Sequence, residues 1–146
     1  MERTEVVAFL KRQKFGVISS IGSDGEPHSA VVGVAFTDLG DAIFDTLGSS
    51  RKAVDLRRDP RASLVVWEGE RTVQMDGGVD EPAGAEREAI LKVYLAVFPD
   101  GAERLQWDGI THFRFRARWA RYSDFDAQRE LIVELPSGLR PARQEK

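Results

Sequence analysis

The feature that most constrains this chain is a series of short runs rich in Val, Ile, Phe and Thr. Most are separated by only a few residues of Gly, Asp, Pro, Ser or Glu. Gaps that short join antiparallel neighbours, because a parallel crossover needs about a dozen residues or more. Runs at 15–21 and 28–36 flank GSDGEP, and those at 28–36 and 42–46 flank Thr37-Asp38-Leu39-Gly40-Asp41. Runs at 62–67 and 71–79 flank Glu68-Gly69-Glu70, and two more follow at 111–122 and 131–135. Along 28–36 neither alternate set is strongly polar, which predicts a central strand or one covered on both faces.

Three segments carry helical spacing instead. From Thr4, Val6, Val7, Phe9 and Leu10 share one side of a short helix that runs to about Lys14. Gly48-Ser49-Ser50 opens a second, with Ala53, Val54 and Leu56, which Asp59-Pro60 ends because the residue before proline avoids the α region. The third, about 85–98, aligns Ile90, Leu91, Tyr94, Leu95 and Phe98, and Pro99-Asp100-Gly101 stops it. This order predicts a mainly β fold, an antiparallel barrel with peripheral helices. At 146 residues and 16.3 kDa there is material for one core. We expect one domain over residues 1–135 and a polar tail over 136–146.

Composition narrows the chemistry. With 21 Lys+Arg against 24 Asp+Glu, the net charge of -3 supplies no global field for nucleic acid or an anionic membrane. Cysteine is absent, which removes thiolate nucleophiles and zinc ribbons and fits a reducing, cytoplasmic setting. Two histidines, His28 and His112, are too few for an ordinary histidine metal site. No window approaches the apolar length of a membrane span, and the N-terminus has no signal-peptide pattern.

The stretch Phe44-Asp45-Thr46-Leu47-Gly48-Ser49-Ser50-Arg51-Lys52-Ala53 is the most informative. A strand ends in a Gly/Ser loop that becomes a helix N-terminus carrying two adjacent cations. Free N–H donors, the positive dipole end, hydroxyls and point charges suit one phosphate group. The plainer alternative is an N-capping serine beside two solvated cations. Cations in a first turn oppose the dipole, however, and two of them suggest an anion that offsets the cost. No GxSxG, Walker, GxGxxG or HExxH motif is present, so chemistry borrowed from a cofactor is the economical enzyme hypothesis. His28 reads as a surface or packing residue, and Asp45 and Asp76 as acids without a sequence-local partner. His112, Arg114, Arg116 and Arg118 alternate with Phe113, Phe115, Ala117 and Trp119, which predicts a basic, solvated outer face behind an apolar inner one.

Taken in order, FGVISSIGSDGEPHSAVVGVAF, IFDTLGSSRKAVDLRRDPRASLVVW and ERTVQMDGGV resemble the pyridoxamine 5′-phosphate oxidase-like family of flavin-binding split β-barrels. The later WARYSDF resembles the closing strand of its small members. The resemblance implies a six-stranded antiparallel split barrel of Greek-key type, a homodimer and two FMN sites at the dimer interface. By family pattern Ser50, Arg51 and Lys52 hold the phosphate, and Asp45 and Thr46 line the flavin. Ala30, Val31 and Val32 lie along the isoalloxazine, while Thr72 and Gln74 present polar side chains to it. Position 30 departs from the pattern, since many family oxidases carry arginine there. The implied function is an FMN-dependent oxidoreductase, a flavoprotein acting on a small-molecule redox substrate. The alternatives are a reductase using the deazaflavin F420 and a non-catalytic protein that holds flavin or haem.

Overall fold

The computed structural model describes residues 2–126, 131–135 and 138–139. The strands are β1 (Phe15–Ile21), β2 (Pro27–Gly33), β3 (Ala35–Phe36), β4 (Ala42–Leu47), β5 (Arg61–Glu68), β6 (Arg71–Asp80), β7 (Ile110–Asp124) and β8 (Leu131–Leu135). The helices are α1 (Arg3–Lys11), α2 (Arg51–Arg58), α3 (Gly84–Val97) and the single turn α4 (Gly101–Arg104), which the sequence pattern did not announce. All recorded strand pairs are antiparallel, in the order β2-β1-β5-β6-β7-β4-β3, with β8 added on β7.

The ends of this path, β2 and β3, are separated in the chain by Val34 alone. A flat sheet cannot bring its two edges within one residue, so the sheet curls into a half-open barrel. Residues 28–36, read as one strand, are therefore two. The break sits where the Val34 N–H leaves the ladder and donates to the Lys14 carbonyl at 2.9 Å. The six longer strands form the expected split barrel, and the two-residue β3 and the five-residue β8 extend it.

Ile18, Phe44, Leu64, Val66, Met75 and Phe115 fill the interior, each worth about 1.5–3 kcal/mol of burial. Phe44 and Phe113 stack there with ring centroids 5.6 Å apart. Val6, Phe9 and Leu10 of α1 join this core, as do Ala53 and Leu56 of α2. A smaller cluster, Ala35 and Ile43 with Ile90 and Tyr94, docks α3 on the opposite face of β3 and β4. Most of the 136–146 tail lies outside the described residues; Leu139, within it, is buried in the main core. Among the described residues no helix is long and apolar enough to cross a membrane.

The expected basic outer face of β7 requires correction. His112 and Arg114 are buried rather than solvated, because α3 lies over this part of the sheet. Arg114 donates to Asp80 at 3.0 and 2.6 Å and to Glu86 at 3.0 Å. The alternation also breaks. Asp76 pairs with Trp119 and Gly77 with Ala117, which leaves Arg118 as the extra residue of a β-bulge. Past the bulge Ala120 and Tyr122 turn inward, and Trp119 faces out beneath the Arg121 guanidinium, 5.2 Å from the ring centroid.

The bulge depends on Gly77, where a Cβ would lie 2.0 Å from the Arg116 carbonyl oxygen. Gly77→Ala is expected to cost at least about 2 kcal/mol in urea unfolding, since backbone must move to admit the methyl. A loss below about 1 kcal/mol would show that this close approach is not a constraint.

Candidate functional site

Four elements converge at one end of the barrel. Thr46, on the inward side of β4, places its hydroxyl 2.9 Å from that of Ser50. Ser50 is the N-cap of α2, and its Oγ accepts the Ala53 N–H at 3.2 Å. The first turn of α2 contains no acidic residue, so Arg51 and Lys52 stand at the positive end of the helix without local neutralisation. They form one wall of a groove of about 80 Å³ whose other walls are Ile18 and Ser20 of β1 and His28, Ser29 and Ala30 of β2.

Behind the groove sits Asp55, 4% exposed. Its Oδ2 accepts from Ser20 Oγ at 3.0 Å and lies 2.6 Å from His28 Nδ1, while its Oδ1 accepts from Arg58 at 3.2 Å. Burial pushes this carboxyl up, and the bonds from His28, Ser20 and Arg58 together outweigh it, holding it below the ordinary range. One carboxylate thus ties β1, β2 and α2 together. Ser20 and His28 are direct partners across the hairpin, a relation that the GSDGEP turn makes readable from sequence. The contribution of Asp55 has no such signal, since it comes from a distant helix.

The ten residues expected at the site fall into separate groups. Ala30, Arg51 and Lys52 line the groove, with Thr46 and Ser50 at the helix end beside it. Strand alternation sends Val32 into the core and Val31 outward, where it is 67% exposed. Thr72 and Gln74 also face outward, and Val31, Val17, Val65 and Gln74 form one cross-strand row. Phe15 and Trp67 extend this outer surface at 59% and 48% exposure, so its β2-β1-β5 part is strongly apolar. Asp45 points to the side opposite Thr46, toward α3 and α4.

There Asp45 accepts a hydrogen bond from Arg104 Nε at 2.7 Å, and Arg104 also reaches Asp100 at 2.8 Å and the Tyr94 hydroxyl at 3.3 Å. The hydrogen bond to Asp45 leads in holding the Arg104 pKa above its ordinary value. Burial, aided by the Asp45 charge, pushes the Tyr94 hydroxyl up to about 12. The link of Arg104 and Tyr94 to Asp45 escaped the sequence reading, which placed Tyr94 only on a helix stripe, because they are 59 and 49 residues from Asp45 and no local motif joins them. Beside them His112 is 1% exposed, and among the described residues neither ring nitrogen has a hydrogen-bond partner.

Burial, reinforced by the charges of Arg87 and Arg104 and opposed by Asp45, holds the His112 pKa below its ordinary value. The ring therefore takes up a proton more readily in the unfolded chain. The stability that follows is present above the unfolded value of about 6.5 and is lost as pH falls toward the folded one. The parent is expected to lose thermal stability between about pH 7.5 and 5.5. His112→Leu should show a shallower slope in the same scan, and equal slopes would remove His112 as the cause.

Comparison with known proteins gives these features a context. The sequence pattern of the family described as "Pyridoxamine 5'-phosphate oxidase" matches residues 3–123. A curated pyridoxine/pyridoxamine 5'-phosphate oxidase of Cupriavidus metallidurans is 34% identical over 92 residues, covering 62% of this chain and 42% of that protein. The matched part thus spans less than half of that relative's length. Among solved structures, a conserved hypothetical protein of Mycobacterium tuberculosis is 28% identical with a TM-score of 0.71, covering 85% of each chain. A haem binding protein of Mycobacterium smegmatis shares the fold at a TM-score of 0.77 and 17% identity, covering 90% of this chain and 57% of its own.

Proposed function

The chain belongs to the pyridoxamine 5′-phosphate oxidase family, and from that premise we propose that it is a small FMN-dependent oxidoreductase acting on a small-molecule redox substrate. The observation that carries this reading is the pair of cations at the acid-free N-terminus of α2, which form one wall of a small groove against β1 and β2. Arg51 and Lys52 neutralise the phosphate dianion, Ser50 stabilises the helix end that presents them, and Ala30 leaves the opposite wall open. FMN bound there supplies electron transfer through its isoalloxazine ring. The protein's own part is positioning and the exclusion of water.

Size argues for a second copy of the chain. Pockets that enclose ligands of this class run from about 300 to 1,000 Å³, whereas the groove holds about 80 Å³. A ring system anchored by its phosphate therefore extends beyond the groove. The outward row of Val31, Val17, Val65 and Gln74 and the exposed Phe15 and Trp67 offer an apolar surface with a polar margin. A homodimer closed over that surface would remove it from water and complete two equivalent sites, with Thr72 and Gln74 supplying polar contacts.

Haem is the second reading, favoured by the fold shared with the Mycobacterium smegmatis protein. A histidine ligand would have to come from His28 or His112, and the first is held by Asp55 while the second is enclosed beneath Tyr94. The phosphate chemistry of the groove supports a flavin nucleotide better, and F420 shares that chemistry. The visible spectrum of freshly purified protein separates the readings: two-banded flavin absorption is expected, whereas a Soret band or a deazaflavin band overturns FMN.

Arg51→Ala combined with Lys52→Ala is expected to weaken FMN binding roughly a hundredfold or more, at about 1.5–3 kcal/mol per charged hydrogen bond. Titration by flavin fluorescence measures this, and unchanged affinity would remove both cations from the site. In sedimentation, Val31→Asp is expected to convert a dimer into monomers that lose flavin. A parent protein that is itself monomeric at micromolar concentration overturns the shared site.

A further inference from the structure

Asp76, an acid to which the sequence assigned no partner, stands on the outer face of the sheet. Ser19, Ser63 and Asp76 are successive cross-strand partners over β1, β5 and β6, and each adjoins an inward core residue, Ile18, Leu64 or Met75. With Arg61 and Arg118 they line a cavity of about 340 Å³, which Arg51 and Lys52 do not border. Cavities that hold small molecules run from about 300 to 1,000 Å³. This one is large enough.

The hollow exists because β6 runs Asp76-Gly77-Gly78 at this point. Gly78 faces outward like Asp76, two residues along the strand, and supplies no side chain. A Cβ there would come 3.2 Å from Arg118 Nη1 and 3.4 Å from the Pro60 carbonyl oxygen, so the Arg118 guanidinium lies over the glycine. The bulge in β7 turns Arg118 to this face, and its Nη2 donates to the Gly77 carbonyl at 3.0 Å. Arg61 approaches from β5 as the direct partner of Gly78. Its Nε and Nη2 donate to Asp59 at 3.0 and 2.7 Å, which holds the guanidinium and leaves Nη1 unspent.

The charges of this cavity do not satisfy one another. Among the described residues the Asp76 carboxylate has no hydrogen-bond or ion-pair partner, although two guanidiniums line the same space. We propose that the cavity is a second small-molecule site, which takes a zwitterionic carboxylate with its anionic end on Arg61 and Arg118 and its ammonium on Asp76. Arginine N–H donors suit a carboxylate, and both guanidiniums keep donors free for one. The hydroxyls of Ser19 and Ser63 can donate to one end or accept from the other. A simple anion would leave Asp76 unanswered beside it, and a simple cation would leave the two arginines so. Asp76 and Gly78 are about 7 Å apart along β6, so the ligand's two charges belong at the ends of a short chain. The proposal does not depend on what the groove beside α2 binds.

The experiment titrates 4-aminobutyrate, butyrate and butylamine, which share one carbon chain, into the full-length protein as purified and follows backbone amide shifts by NMR. 4-Aminobutyrate is expected to bind about tenfold more tightly than either single-charge compound, with the shifts centred on Ser63, Asp76 and Gly78. Asp76→Asn should remove its advantage over butyrate without weakening butyrate. Arg61→Gln should weaken both carboxylates and leave butylamine unchanged. Equal binding of the three by the parent, no binding of any, or an advantage that survives Asp76→Asn overturns the proposal, and the phosphate groove stands. Shifts centred on α2 overturn it too, since the probes would then sit in the groove. If no probe binds and Asp76→Asn turns a dimer into monomers in sedimentation, the cavity is a contact between two copies of the chain and the proposal falls.

Discussion

The one-residue joint at Val34 is the constraint from which the architecture follows. The strands on either side of it occupy the two ends of the sheet path, so the sheet has to curl until its edges meet. Curling creates an interior that β-branched and aromatic residues fill, and helices α1 and α2 contribute to the same core. It also brings the inner faces of β1 and β2 against the first turn of α2, although these segments are far apart in sequence. The groove is a product of this closure. No single element contains it, and a flat sheet would disperse its residues.

Within that frame the electrostatics of α2 run against its own dipole. Arg51 and Lys52 lie at the positive end, and Arg57 and Arg58 occupy the last turn, where cations are favoured. The only acidic residue inside the helix, Asp55, faces inward and is held by Ser20, His28 and Arg58. An inward carboxylate with three donors fixes the helix against the hairpin, so the two N-terminal cations are presented from a rigid base. Groups pre-positioned in this way lose little entropy when an anion arrives. The arrangement costs folding free energy at the helix start and, on the proposed function, would lower the cost of binding an anion there.

Hairpins, helices and the groove cations were legible because each is a local pattern. Turn residues between apolar runs specified the strand pairs, and the Gly/Ser loop with its two cations marked the helix start. What could not be read depends on tertiary context. Alternation along β7 predicted one basic face, but the bulge at Arg118 reverses the inward set halfway, and α3 covers the first half. A bulge needs a partner strand that admits it, here through Gly77, and single-strand periodicity cannot register that. Likewise the pairing of Asp45 with Arg104 joins residues that share no motif.

The two sides of β4 carry different chemistry, and this bears on how the site is divided. Thr46 faces inward to Ser50 and the groove, whereas Asp45 faces outward into the network of Arg104, Tyr94 and Asp100. A strand with period two cannot direct adjacent side chains to one small ligand from the same side. Asp45 therefore acts on a groove-bound group only through backbone position, through its charge, or from a surface that a second chain completes. Its ion pair with Arg104 anchors α4 to the strand that leads into α2, and the Gly48 N–H donates to the Gly109 carbonyl at 2.7 Å just beyond. The loop that feeds the first turn of α2 is thus held from both ends, by the Thr46–Ser50 contact beside the groove and by the α4 region outside it. This geometry ties the placement of Arg51 and Lys52 to packing on the face of the barrel opposite the groove.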